Sequence, residues 1–195
     1  MPAEAGPRGA AAPSVLEEVG FLPLPDLALG SAARLVAEAS AHLAVPCRLL
    51  TTPRLVSATI PGRDQIDADR LLLEVEALAQ PAGPALVAVT SRDVAIPIFT
   101  FVFGRARVGG RAAVVSLARL QPEFYGLPAD PGLALRRAVA EVLHELGHVG
   151  GLGHCNDYQC LMHFSNSVEA VDQRGLEYCR ECRRALGPVG LVAGE

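Results

Sequence analysis

Apolar and polar positions recur along this chain with two periods, and between them they predict an order of elements. Val19, Phe21 and Leu22, within residues 15–24 and closed by prolines, read as a first strand. Leu35, Val36, Ala39 and Leu43 then fall on one face of a helix for which Ser31 is the expected N-cap. His42 lies near the end of that helix, where a cation suits the dipole, and is expected at the surface. Residues 48–55 give a short second strand interrupted by Pro53, and Cys47 beside it reads as a buried strand residue. Asp64 or Asp67 can cap a second helix running to about Ala79, with Leu71, Leu72, Val75 and Leu78 turned inward. Residues 86–90 form an apolar run of the kind covered on both faces. Strands alternating with helices in this order require right-handed parallel crossovers, and so an α/β layer.

The pattern then changes. Residues 99–108 and 111–117 are two β-rich runs joined by Gly109-Gly110, which predicts a hairpin closed by a two-residue primed turn. The expected fold class is therefore α/β with α+β character: a mixed, mostly parallel twisted sheet with an antiparallel edge strand and helices packed on it. Asp130 and Pro131 suit the N-cap and first position of a helix of about 20 residues that buries Leu135, Val139, Val142, Leu143 and Leu146. Arg137 and Glu141, four apart, are expected to be a solvated surface pair, the alternative being that they tune Glu145. Asp172 is the expected N-cap of a last helix presenting Leu176, Cys179, Cys182 and Leu186 to the body.

The candidate chemistry sits at the end of the long helix. His144 and His148 are separated by a step that turns only about 40° and rises about 6 Å, so both imidazoles can meet one metal ion. Glu145 lies beside them, and an HExxH helix supplies two zinc ligands and a carboxylate able to take a proton from activated water. His154 can be the third ligand, because Gly150, Gly151 and Gly153 let the chain turn back sharply. Three imidazoles leave one coordination position open, which distinguishes a catalytic zinc from a structural one. Cys155, Cys160, Cys179 and Cys182 form two short-spaced pairs that read as a closed four-thiolate zinc site, so two zinc ions are expected. Disulfides are the competing reading for these cysteines, and nothing in the chain suggests export to an oxidising compartment. His163 is assigned to packing or hydrogen bonding because the histidine set is already complete.

On His144, Glu145, His148, Gly151, His154, Cys155, Cys160, Met162, Cys179 and Cys182 the chain resembles the archaemetzincin family of zinc metallopeptidases, within the metzincin clan. Weaker similarity runs through Phe101-Val102-Phe103-Gly104, Ser116-Leu117-Ala118-Arg119-Leu120 and Phe164-Ser165-Asn166-Ser167. The resemblance implies a metzincin-like domain with one catalytic and one structural zinc. It makes Met162 the Met-turn residue beneath the histidines. It also makes the stretch from Phe101 to Arg107 the place where an extended peptide substrate would pair with the edge strand. Other metzincins carry a tyrosine two residues after that methionine, whereas this chain has Phe164; Tyr158, close by, is expected to be a packing residue.

Composition changes the picture only at its margins. With 195 residues the chain has room for one domain, expected over 14–186, with an N-terminal subdomain 14–151 and a small zinc-stapled C-terminal subdomain 152–186. Residues 1–13 and 187–195 read as tails. A net charge of −4, with every basic side chain an arginine, gives no stripe for nucleic acid or anionic membrane. Neither a membrane span nor a signal peptide is read, which favours the cytoplasm. The expected activity is thus peptide-bond hydrolysis on a peptide or protein substrate with Glu145 as general base. The alternatives are a zinc-containing peptide-binding module with little turnover, or a metal-handling or redox protein that leaves the histidine string unexplained.

Overall fold

The computed structural model describes residues 16–56 and 58–187. The expected tail at 1–13, and the other one beyond Gly187, lie outside the described residues. In chain order the elements are β1 (Val19–Pro23), α1 (Leu29–Ser40), β2 (Cys47–Leu49), β3 (Ile66–Asp67), α2 (Ala68–Leu78), β4 (Ala85–Thr90), β5 (Val94–Ala95), β6 (Gly104–Ala106), β7 (Ala112–Ser116), α3 (Pro131–Val149), α4 (Val168–Gln173) and α5 (Arg180–Leu186). Five strands make one sheet in the order β2-β1-β4-β7-β6, parallel throughout except for β6, which runs antiparallel to β7 at the edge. The expected mixed sheet with an antiparallel edge strand is the one observed.

Alternation along the central strands explains the layers. Val87 and Val89 of β4 and Ala113 and Val115 of β7 face one core with α1 and α3, while Leu86 and Ala88 of β4 and Ala112 and Val114 of β7 face a second core with α2. All six residues of β4 are buried, as its unbroken apolar run requires in a strand covered on both sides. Each fully buried Val or Leu contributes roughly 1.5–3 kcal/mol, so these two clusters, not the short ladders, hold the layers together.

Local chemistry set several ends differently from the sequence expectation. Ala28, not Ser31, occupies the N-cap of α1, and Ser31 lies in its first turn. Asp67 does cap α2, accepting from the Asp69 and Arg70 amides. Cys47 is only half-buried, because β2 is an outer strand of the sheet. Residues 99–108 do not form one strand: a turn from Ile96 closes on Phe99, residues 99–101 carry no strand, Val102 makes only a bridge to Val94, and β6 keeps three residues. The connection to β7 is also not a two-residue primed turn. Gly110 donates to the Arg107 carbonyl at 2.9 Å and Gly109 alone has positive φ, at 70°, so the turn begins at Arg107 with glycine in its third position. A small parallel sheet of β3 and β5 was not anticipated.

The C-terminal part departs furthest. Ser167, not Asp172, caps a helix, α4, that already contains Asp172, and the last helix starts only after Cys179. Asp172 instead binds Arg137 through two hydrogen bonds of 2.7 and 2.6 Å. Arg137 and Glu141 are therefore not a solvated pair. Both are 4% exposed, with Arg137 turned to Asp172 and the Leu120 carbonyl and Glu141 paired to Arg174.

Candidate active site

The site is built on α3, whose every residue from Arg137 to Val149 is buried. Asp130 accepts from the Leu133 amide at 2.9 Å and Pro131 occupies the first turn, as the sequence predicts. At the other end Gly150 donates to Leu146, Gly151 to His148 and Leu152 to Gly147, closing a Schellman-type end in which Gly151, at φ 98°, supplies the left-handed residue. Of the three glycines expected to turn the chain, Gly151 is the one that takes positive φ. A further donor reaches the same end from outside, since the Gly109 amide in the β6–β7 turn bonds the His148 carbonyl at 2.9 Å.

That turn brings His154 back to the helix. The three imidazoles form a cluster with ring centroids 4.8, 4.9 and 5.4 Å apart. His144 Nδ1 lies 2.8 Å from the Leu161 carbonyl and His148 Nδ1 2.8 Å from the Leu152 carbonyl. A carbonyl only accepts, so His148 Nδ1 carries the proton and its Nε2 presents a lone pair. His144 Nδ1 faces the Leu161 carbonyl and also, at 2.9 Å, the Arg174 guanidinium, and with its proton given to Leu161 its Nε2 presents a lone pair too. Those two Nε2 atoms are 3.2 Å apart, close to the roughly 3.3 Å expected for two nitrogens on one tetrahedral zinc. Burial holds His144 neutral well below its usual range, with Arg174 adding to the effect, and pushes His148 down to about 4. His154 is lowered as well, again mainly by burial. Neutral imidazoles are the form that binds a metal, so this donor set fits zinc.

Glu145 points into the same cleft and is 4% exposed. Its Oε2 has no hydrogen-bond partner among the described residues. Burial first, and the charge of Glu141 second, hold its carboxyl well above the usual range. Gly104 of β6 makes this approach possible, because a β-carbon there would stand 2.6 Å from Glu145 Cγ and Oε1. Met162 is fully buried with its thioether against Gly147 of α3, and Tyr178, which also approaches Gly147, donates to the Leu143 carbonyl at 2.8 Å. His163 takes no part in the cluster; its Nδ1 is 3.1 Å from the Cys155 carbonyl. Phe164 lies edge-on to His154 at 5.0 Å between ring centroids, and Tyr158 is exposed and outside the cleft lining.

The four cysteines form a second cluster. Cys155 and Cys179 Sγ are 3.9 Å apart and Cys160 and Cys182 Sγ 3.8 Å, near the roughly 3.8 Å of two thiolates on one tetrahedral zinc and far beyond a disulfide bond. The amide of Cys182 pulls the Cys179 thiol below its usual range, while burial raises that of Cys182. Cys155 donates its amide to the Met162 carbonyl at 2.8 Å, so the cysteine cluster, Met162 and His154 share one backbone framework. The donor set fits a second zinc.

In front of the histidines lies a cleft of about 530 Å³, walled by β6, by Phe101 and Phe103 before it and Val108 after it, by α3, and by Phe164. Arg119 braces this wall, its guanidinium stacked on Phe101 at 4.2 Å and Phe124 at 4.7 Å and bidentate to Asp93. Arg174, Gly104 and Tyr178 were not singled out as site residues by sequence. No short spacing connects Arg174 or Tyr178 to the histidines. The heptad step from Arg137 to His144 and from Glu141 to His148 is the signal that could have placed both charges inside.

Comparison with known proteins gives a consistent picture. The model of Peptidase family M54 matches residues 69–187. The archaemetzincin of Thermococcus kodakarensis is 44% identical over 138 residues, 70% of this chain and 74% of that protein. The archaemetzincin of Pyrococcus horikoshii is 51% identical over 102 residues, 52% of this chain and 54% of that protein, so the match spans about half the length of that relative. Among solved structures, a zinc-dependent peptidase from Methanocorpusculum labreanum superposes with a TM-score of 0.77 at 29% identity, covering 87% of this chain and 100% of that one. The archaemetzincin of Archaeoglobus fulgidus, complexed with malonate, gives 0.73 at 30% identity over 86% of this chain and 99% of that one.

Proposed function

The chain belongs to Peptidase family M54, and from that premise we propose that it is a zinc-dependent metallopeptidase in which His144, His148 and His154 hold the catalytic zinc and Glu145 is the general base. The observation that carries this reading is the convergence of two proton-free Nε2 atoms 3.2 Å apart beside a buried carboxylate with an unshared oxygen. Zinc at that position supplies Lewis acidity, polarising a carbonyl and lowering the pKa of a water.

The chain's own residues do the rest. Leu161 and Leu152 fix the tautomers of His144 and His148, so that the ligand nitrogens need no reorganisation. The outer edge of β6 offers unpaired backbone groups on which an extended peptide can align, with the apolar wall around Phe101 and Phe103 taking its side chains. Glu145, whose ionised form a metal cation beside it would favour, accepts a proton from water as the water oxygen bonds to the scissile carbonyl carbon, and delivers that proton to the amine as the C–N bond breaks. Cys155, Cys160, Cys179 and Cys182 would hold a second, structural zinc that keeps Met162 and His154 in place from the 152–186 subdomain. Thiols at metal spacing rather than in disulfides support a reducing compartment, the cytoplasm. Among the described residues no helix is long and apolar enough to cross a membrane.

The test is a peptide-library cleavage assay with mass-spectrometric readout, comparing the zinc-loaded protein with Glu145→Ala. Cleavage by the first and none by the second is the expected result. Absence of cleavage in both would leave a peptide-binding module, and equal cleavage would remove Glu145 from the reaction.

A further inference from the structure

Glu141 and Glu145 stand one turn apart on the same buried face of α3, both 4% exposed. Like charges at this spacing repel, and a buried carboxylate is tolerated only when something compensates it. Arg137, a buried arginine of the same helix, is turned away to Asp172. Compensation comes instead from Arg174, at the end of α4 and 1% exposed, whose Nη2 ion-pairs with Glu141 Oε2. Its Nη1 lies 2.9 Å from His144 Nδ1. That nitrogen already donates to the Leu161 carbonyl, so the guanidinium backs the ring rather than bonding to it.

The backbone here is well anchored. The Arg174 carbonyl accepts from Arg136 at 3.1 Å, and Gly175 donates to the Gln159 carbonyl at 2.9 Å. A fork held this way occupies Glu141, closes the Nδ1 side of His144, and leaves Glu145 Oε2 without a partner among the described residues. A buried ion pair is weakly favourable for stability at best, and apolar residues of similar volume commonly replace one without loss. Its presence beside a metal ligand therefore needs another reason.

We propose that Arg174 is a positioning residue: by locking Glu141 and backing His144, it leaves Glu145 as the carboxylate of this helix face that is free to meet substrate and water. The proposal rests on the metallopeptidase reading above.

The decisive variant is Arg174→Met combined with Glu141→Leu, which removes both charges and keeps the volume. It is expected to melt within a few degrees of the wild type. Its kcat should fall about ten- to hundredfold with KM little changed, and it should surrender one zinc to a chelator at about tenfold lower concentration while keeping the other. Arg174→Lys, which keeps the charge but not the fork, should recover part of both losses. A double variant with wild-type kcat and wild-type zinc retention would overturn the proposal. If the double variant does not fold, Arg174→Lys is judged alone: undiminished kcat and zinc retention overturn the proposal, and loss of both upholds it. A wild-type protein that cleaves no peptide defeats the metallopeptidase reading, and the chelator measurement then still decides whether Arg174 positions the zinc site.

Discussion

The thioether of Met162 packs directly against the α-carbon of Gly147, leaving no room for a β-carbon between the segment that follows Cys160 and the helix that carries His144 and His148. Gly147→Ala should therefore cost about 1–3 kcal/mol by overpacking. For a chain of this size that lowers the melting temperature by roughly 2–4 °C per kcal/mol, measurable by calorimetry. Displacement of His148, the next residue, should lower zinc retention in the same variant. Met162→Ala in the Gly147→Ala background should recover part of the lost zinc, because it removes the clash.

Glu145→Gln keeps the volume and polarity of the side chain but cannot accept the proton. Steady-state assays should show kcat reduced by about 10²-fold or more with both zinc ions still bound by elemental analysis. A variant that loses zinc along with activity would instead make Glu145 part of the metal's support.

Single replacements at the two clusters should separate them. His154→Ala is expected to lose one equivalent of zinc and all cleavage while leaving the melting curve nearly unchanged, since His154 is exposed. Cys179→Ser is expected to lose the other equivalent and several kcal/mol, or roughly 10 °C or more, because a structural zinc contributes folding free energy directly. It should also lose activity, since Cys155 is bonded through its amide to Met162. Equal melting temperatures for the two variants would contradict this division.

Asp172→Ala leaves Arg137 buried without its bidentate partner. Breaking such a pair costs about 3–5 kcal/mol, and the low end applies because the Asp172 side chain is 33% exposed. Urea unfolding would measure the loss. Restoring an apolar residue at both positions, as Arg137→Met with Asp172→Ala, should regain most of it.

What could be read from the sequence was what local spacing encodes. The cap at Asp130, the four-residue step from His144 to His148, and the short-spaced cysteine pairs are all decided within a few residues; the cap is observed, and the three histidines and four cysteines come together in two clusters. The buried run of β4 was equally legible, because a strand covered on both faces has no polar positions to interrupt it. Long-range pairings were not. Arg174 reaches Glu141 across 33 positions, and no local rule connects them. Strands of two residues, as in β3 and β5, are too short to carry a period. The error at Arg137 and Glu141 came from treating two charges four apart as partners of each other, when each was already claimed by the C-terminal segment.

Hairpin tips are ordinarily where a chain accepts an inserted tag or graft without complaint. The tip at Gly109 is different, because its amide is fastened to the carbonyl of His148. Lengthening that loop would pull this donor away from the helix end that carries His148, so the place an engineer would choose first is here tied to the histidine cluster.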